Sequence, residues 1–285
     1  MTRGYESGTT PQKVILVAAV ALLATAGFAP AQDKKKSDKG AEKEGAAHMK
    51  EELGVNQFTT PSIATIITAL KELRPIAYDK VSRDLSDAIP GDRARLALST
   101  GAVIAEGFLT VSAEKQSRLT DIGRVLIRHA KGLGVGDGVT RHSKSILEKG
   151  AAKDWEAVRQ ELVATQRDVE KAMMALKDEE IAHLVALGGW TRGLEITAGL
   201  VADQYTPARA AILVQPSVLD YFIQRVETLN PSLRKSKLFA TVEKNLREIR
   251  KLAMKEGGAP PSVDELKKIR EFCGEIIALV QKQDE

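Results

Sequence analysis

The 285-residue sequence contains a single cysteine, Cys273, and aromatic residues make up only 4% of it. One cysteine cannot form an intramolecular disulfide, so a fold held together by disulfides is excluded. Because aromatic residues are so few, the core must be packed mainly with Leu, Ala, Val and Ile. Cys273 itself lies in a helical stripe of apolar residues, and we therefore expect it to be buried as a small hydrophobic side chain.

Several patterns that would indicate an enzyme or a nucleic-acid-binding protein are also missing. The motifs His-Glu-x-x-His, Cys-x-x-Cys-His and Gly-x-Ser-x-Gly do not occur, so a zinc protease, a c-type haem and a nucleophilic serine are unsupported. The glycines between Gly132 and Gly138 lack the preceding strand and the Gly-Lys-Ser/Thr of a phosphate-binding loop, and we interpret them as a helix cap and connector. The net charge of +4 is scattered, without a dense basic face, so we expect no nucleic-acid binding.

The first 31 residues have the pattern of a secretory signal peptide. Basic residues, an apolar run and a small-residue cleavage site follow in order: Arg3 and Lys13, residues 14–23, and Ala29-Pro30-Ala31. We expect a mature chain that begins at about Gln32, carries no transmembrane helix and is periplasmic or secreted. A cleavage site at residues 24–26 is one alternative; an uncleaved anchor is another, although the apolar run is short for a bilayer.

Residues 32–56 follow as a predicted disordered, charged linker. Six lysines and six acidic residues stand there before the first large aliphatic residue, Leu53, and such a segment cannot bury enough apolar surface to fold. Residues 57–285 are predicted to form a single α-helical domain, because no stretch within them alternates apolar and polar residues as a strand does.

Two glycine-containing apolar helices are predicted to form the centre of this domain. The first 22 residues of the stretch 181–226 are apolar on nearly every side, and residues 92–119 have the same character around Gly101 and Gly107. An all-apolar helix is either a core helix or a membrane span. Arg192 and Glu195 oppose membrane insertion of the helix that begins at residue 181. We therefore expect both apolar helices to lie in the core and to cross closely at their glycines.

The remaining helices are predicted from amphipathic patterns and caps. Thr60-Pro61 is expected to start a helix that Pro75 ends or bends, and a second helix is expected to run to about Ile89. A seven-residue repeat indicates a surface helix with one core-facing seam: Trp155, Val158, Leu162, Thr165, Val169, Ala172 and Leu176. Ser262 and Glu265 form a predicted capping box for the last helix. The predicted fold is an all-α, compact multi-helix bundle of roughly ten helices.

Three charged residues inside the apolar helices form the main candidate site: Glu106, Arg192 and Glu195. Since an unpaired buried charge is very costly, these groups must pair with one another or face a water-filled cleft. One interpretation is a structural ion pair. The other is a ligand-binding pocket in which Arg192 binds a small anion, with Trp190, Tyr205 and Tyr221 as its walls.

Glu180 and His183 are a weak candidate for metal binding, because a Glu-x-x-His element places both side chains on one helix face. Di-iron bundles need two such elements and two more glutamates, and this chain has only the one pair. The alternative is a helix N-terminus at which acidic residues are favoured by the helix dipole. We therefore predict no metal and no cofactor.

These patterns favour an exported, non-enzymatic α-helical binding or scaffolding protein of the bacterial periplasm or cell envelope, with an unknown protein or small-molecule partner there. The alternative is a helical bundle that binds a small anionic ligand or a metal in its core, with redox or hydrolytic activity. No sequence feature identifies the ligand.

Overall fold

The computed structural model describes residues 70–86 and 88–282. In this part of the chain eleven helices pack together and no strand occurs, which confirms the predicted all-α bundle. In chain order the helices are α1 (Tyr78–Val81), α2 (Arg93–Ser112), α3 (Gln116–Leu133), α4 (Gly136–Ala151), α5 (Trp155–Ala175), α6 (Glu179–Asp203), α7 (Pro207–Ala211), α8 (Pro216–Glu227), α9 (Pro231–Arg234), α10 (Lys237–Ala253) and α11 (Val263–Gln281).

Helix α6 is the centre of the bundle. It lies between α2 and α11, while α2 to α5 pack each against the next and α10 packs against α8 and α11. Every residue in 184–201 is buried, as is every residue in 96–112 of α2. The prediction that two apolar, glycine-containing helices form the core is therefore confirmed. Cys273 of α11 is fully buried against this core, as predicted, and burial raises the pKa of its thiol.

Helices α2 and α6 approach each other through their backbones. A Cβ atom added at Gly101 would overlap the carbonyl oxygen of Val185 and lie 2.5 Å from the amide nitrogen of Gly189. A Cβ atom added at Gly188 would overlap the carbonyl oxygen of Leu98. Glycine at these two positions therefore allows the two helices to cross with backbone in contact, which no other residue would permit.

Helix α5 carries the predicted core-facing seam, with one correction at its end. Val158, Leu162, Thr165 and Val169 are buried, as the seven-residue repeat predicts. Leu176 was also predicted to face the core, but it is 55% exposed. The helix ends at Ala175, so the chain leaves the helical register just before Leu176.

The predicted helix up to Ile89 is wrong, because only the single turn α1 forms between Pro75 and α2. Beyond α1 the backbone is used for tertiary hydrogen bonds instead. The carbonyl of Val81 accepts from the Arg192 guanidinium, and the N–H of Arg83 donates to the Glu106 carboxylate at 3.1 Å. In a continued helix the Val81 carbonyl would accept an intrahelical bond, so the two arrangements compete.

Two of the helix boundaries that the sequence predicts from caps are confirmed, those at Gly134 and at Ser262. Gly134 ends α3 in the left-handed conformation, with φ of 86°, which fits the interpretation of the glycine-rich stretch as cap and connector. Ser262 and Glu265 form the capping box of α11 in both directions. Asp92 also caps α2, since its carboxylate accepts from the Arg95 N–H at 2.7 Å.

One helix in the described part of the chain, α2, is long and apolar enough to cross a membrane by composition, with a mean hydropathy of 1.3. However, 94% of that stretch is buried inside the bundle. Burial of this kind is typical of the core helix of a globular protein.

The predicted signal peptide, the predicted linker and the predicted helix start at Thr60-Pro61 all lie outside the described residues. They remain predictions from the sequence.

Candidate functional site: a closed charge cluster and a cavity beside His183

The three predicted charges meet in the core, together with a fourth that the sequence did not indicate. Arg192 donates to Glu106 from Nε (3.0 Å) and Nη2 (2.8 Å), and to Glu195 from Nη1 (2.8 Å). Arg83 donates to the other side of the Glu195 carboxylate, at 2.9 Å from Nε and 2.6 Å from Nη2. We call Arg83, Glu106, Arg192 and Glu195 the charge cluster.

The charge cluster is balanced in charge, and it is closed to water except at Arg83, whose side chain is 32% exposed. Two arginines face two glutamates, and the side chains of Glu106, Arg192 and Glu195 are each at most 6% exposed. Gly274 of α11 covers the cluster, because a Cβ atom there would lie 3.1 Å from Arg83 Nη2 and 3.3 Å from Glu195 Oε1.

Every nitrogen of the Arg192 guanidinium already donates to Glu106, Glu195 or the Val81 carbonyl. A small anion would have to displace one of these buried carboxylates, leaving it without its partner in a site of low dielectric. The geometry thus favours the structural ion pair over an anion-binding pocket at Arg192.

The aromatic residues proposed as walls of that pocket do not surround Arg192. Trp190 packs on Phe222 of α8 with ring centroids 5.4 Å apart, and its Nε1 donates to Gln215 at 3.3 Å. Tyr221 packs edge-on against Phe222 on the same side of α6. Tyr205 is half-buried beyond the C-terminus of α6, packed against the core. Trp190 and Tyr221 therefore belong to an aromatic cluster between α6 and α8.

Next to this aromatic cluster lies a cavity of about 190 Å³, which we call the α6–α8 cavity. It is lined by Glu179, Glu180, His183, Leu184 and Leu187 of α6, by Phe222, Arg225 and Val226 of α8, and by Thr228 and Leu229. Its floor is apolar and its rim carries charges of both signs. An apolar concave surface with a few converging polar groups is the usual composition of a small-molecule site.

His183 is one of the polar residues that line the α6–α8 cavity. The Tyr221 hydroxyl lies 2.6 Å from its Nδ1, whereas its Nε2 is buried and has no hydrogen-bond partner among the described residues. Burial, with a smaller contribution from the charge of Arg225, lowers the pKa of His183 to about 4. The ring is thus neutral at pH 7, and its Nε2 is enclosed by protein atoms without a hydrogen-bond partner among the described residues.

Glu180 and His183, the predicted metal candidates, both line the α6–α8 cavity. Within the described ranges, no group of three His, Cys, Asp or Glu side chains is arranged to hold a metal ion. Glu179 and Glu180 stand in the first turn of α6, where acidic residues are favoured by the helix dipole, as the alternative interpretation states.

A second buried histidine, His129 of α3, is 2% exposed, and neither ring nitrogen has a partner in the described part of the chain. Burial, with a smaller effect of Arg128, lowers its pKa from 6.5 to about 4. Because the unfolded state binds the proton more readily, the stability from the neutral ring is complete above pH 6.5. It is lost progressively as the pH falls from 6.5 towards 4.

We expect His129→Leu to weaken the acid sensitivity of folding in that window. The wild-type free energy of unfolding should drop by roughly 2–3 kcal/mol more than that of the variant between pH 7 and pH 4. Urea unfolding at half-unit pH intervals measures both curves. Parallel curves for the two proteins would show that His129 does not titrate with a lowered pKa.

The Glu161 carboxylate, in a polar network between α4 and α5, titrates at lower pH than His129. Both ring nitrogens of His142 contact carboxylates, at 2.6 Å from Glu161 and 3.0 Å from Asp168. Burial would raise the pKa of Glu161, but hydrogen bonds from Lys149, His142 and Ser145 together lower it to about 2. The stability from this carboxylate is lost only as the pH falls from about 4.5 to 2.

A scan against protein-family models finds no match for this chain, and searches of curated proteins and of solved structures find none either. Any statement about its function therefore depends on its own residues.

Proposed function

We propose that this chain is an exported, non-enzymatic α-helical binding protein of the bacterial periplasm or cell envelope, and that the α6–α8 cavity is its ligand site. The observation that carries the proposal is a cavity of about 190 Å³ whose lining combines apolar side chains with a few polar ones, among them His183, whose buried Nε2 has no partner in the described part of the chain. Buried polar atoms without a protein partner are uncommon and frequently contact a water or a ligand.

Binding without catalysis is supported by the charges near the core. A general base works best with a pKa near the operating pH, and the pKa of about 4 makes His183 a weak base at neutral pH. The buried arginines and glutamates of the charge cluster already form ion pairs with one another.

Export is supported by the N-terminal pattern of basic residues, apolar run and small-residue site in residues 1–31. A periplasmic or secreted protein meets small molecules from the surroundings of the cell. A preformed cavity on a rigid helical scaffold suits their capture, because little has to be ordered on binding.

The test is to express the full chain in a bacterium, purify it from the periplasmic fraction and weigh it by native mass spectrometry. We expect a mature mass that begins near Gln32 and an additional bound mass of a small molecule. Thr228 is exposed at the cavity rim, so Thr228→Trp should block the cavity without disturbing the core and abolish the additional mass. An intact leader in the cytoplasmic fraction would contradict export, and a ligand-free wild type would contradict binding.

A further inference from the structure

The rim of the α6–α8 cavity carries charges of both signs that are left unpaired. The Arg225 guanidinium makes no hydrogen bond or ion pair with any described residue, and it stacks over the Tyr221 ring, 5.3 Å from the centroid. The Glu180 carboxylate likewise has no partner within the described ranges. By contrast, neighbouring arginines on α10 are paired, since Arg247 contacts Glu243 and Arg250 contacts Asp220. The charges at the cavity are thus available to a ligand.

The side of the cavity next to Arg225 favours a carboxylate. Arg225 supplies a guanidinium, whose planar set of donors matches a carboxylate. The rim at Glu179 and Glu180 has the opposite preference, because two carboxylates favour a cation.

The floor of the cavity favours an apolar body of limited size. Leu184, Leu187 and Phe222 supply an aliphatic and aromatic surface with no hydrogen-bonding group. A dry cavity of 150 Å³ accommodates benzene, so a cavity of about 190 Å³ takes a molecule of roughly ten non-hydrogen atoms.

We propose that the α6–α8 cavity binds a small zwitterion with an apolar body, the chemistry of a free aliphatic amino acid. The carboxylate contacts Arg225, the ammonium group contacts Glu180, and the apolar body lies on Leu184, Leu187 and Phe222. This inference rests on the proposed function, because it names the ligand class of the same cavity.

Isothermal titration calorimetry with three probes that share the same branched aliphatic group tests whether the ligand needs both charges. The probes are L-leucine, 4-methylpentanoate, which lacks the ammonium group, and 3-methylbutylamine, which lacks the carboxylate. We expect L-leucine to bind the full mature chain at least tenfold more tightly than either of the others. Each charged contact can also be tested separately. Arg225→Gln and Glu180→Gln should each lower the affinity for L-leucine at least tenfold.

Matched controls are Arg167→Gln and Glu271→Gln, which remove the same charges at exposed positions on α5 and α11, away from the cavity. They should leave the affinity for L-leucine unchanged. Thermal melts of all four variants should agree within a few degrees, since none of the four residues is in the core.

Two contrary results are distinguishable. If the three probes bind equally, or if Arg225→Gln and Glu180→Gln have no effect, the inference that the ligand is a zwitterion is wrong. The cavity would then bind ligands through its apolar surface alone, and the proposed function would stand. Binding of L-leucine that survives Thr228→Trp would place the ligand elsewhere and overturn both the inference and the proposed site.

Discussion

Arg192→Met is expected to lower the free energy of unfolding by about 3–5 kcal/mol, which is the usual cost of leaving a buried charge without its partner. Methionine fills much of the space of the arginine stem but donates no hydrogen bond. Glu106 would then keep only the Arg83 N–H, while Glu195 would keep the Arg83 guanidinium. Chemical denaturation should show the loss as a midpoint shift, and a thermal melt should fall by about 10 °C or more.

Arg234→Met provides the matched control, because Arg234 pairs with Glu243 at 3.1 Å with its own side chain 42% exposed. An exposed pair contributes at most about 1 kcal/mol. If Arg192→Met costs no more than Arg234→Met, the charge cluster is not a buried ion-pair network and the anion-binding interpretation of Arg192 regains its basis.

Gly188→Ala and Gly101→Ala are expected to destabilise the protein by about 3 kcal/mol each, at the upper end of the range for overpacked cores. The added methyl group would meet backbone atoms of the facing helix rather than side-chain ends. A side chain can change its rotamer to relieve such a clash, whereas here α2 and α6 would have to move apart along their whole contact.

Gly107→Ala lies on the same helix α2 and is the control. The nearest atoms to a Cβ there are methyl groups of Ile122 and Leu162, at 3.5 and 3.6 Å, an ordinary contact distance. Because alanine is favoured over glycine inside a helix by about 1 kcal/mol, Gly107→Ala should be neutral or stabilising. Equal losses at Gly107 and Gly188 would mean that α2 and α6 do not cross with backbone in contact.

The sequence predicted the core helices well because their signal is local. A run that is apolar on all sides, interrupted by glycines, has few alternatives in a globular protein. It also identified Glu106, Arg192 and Glu195, since a charge within such a run must find a partner. The sequence did not indicate Arg83, because it stands in a polar stretch where an arginine is not unusual. Its contact with Glu195 depends on the backbone path after α1.

The α6–α8 cavity could not be predicted in the same way. Arg225 and Phe222 lie on an ordinary amphipathic helix, and only the placement of α8 against α6 brings them beside His183. That placement depends on the connection through α7 and on the ring contacts of Trp190 with Phe222 and of His183 with Tyr221. The spacing of Glu180 and His183 predicts that they share a helix face. Their neighbours on α8, however, are determined by tertiary packing.

A crystal structure of the mature protein, purified from the periplasm without refolding, tests most directly whether ligand binding and core stability reside in separate places. We expect connected non-protein electron density between Phe222 and the Nε2 of His183, and a charge cluster in which Arg192 contacts only Glu106, Glu195 and Val81. Density for a bound anion beside Arg192, with side chains filling the space next to His183, would contradict both assignments.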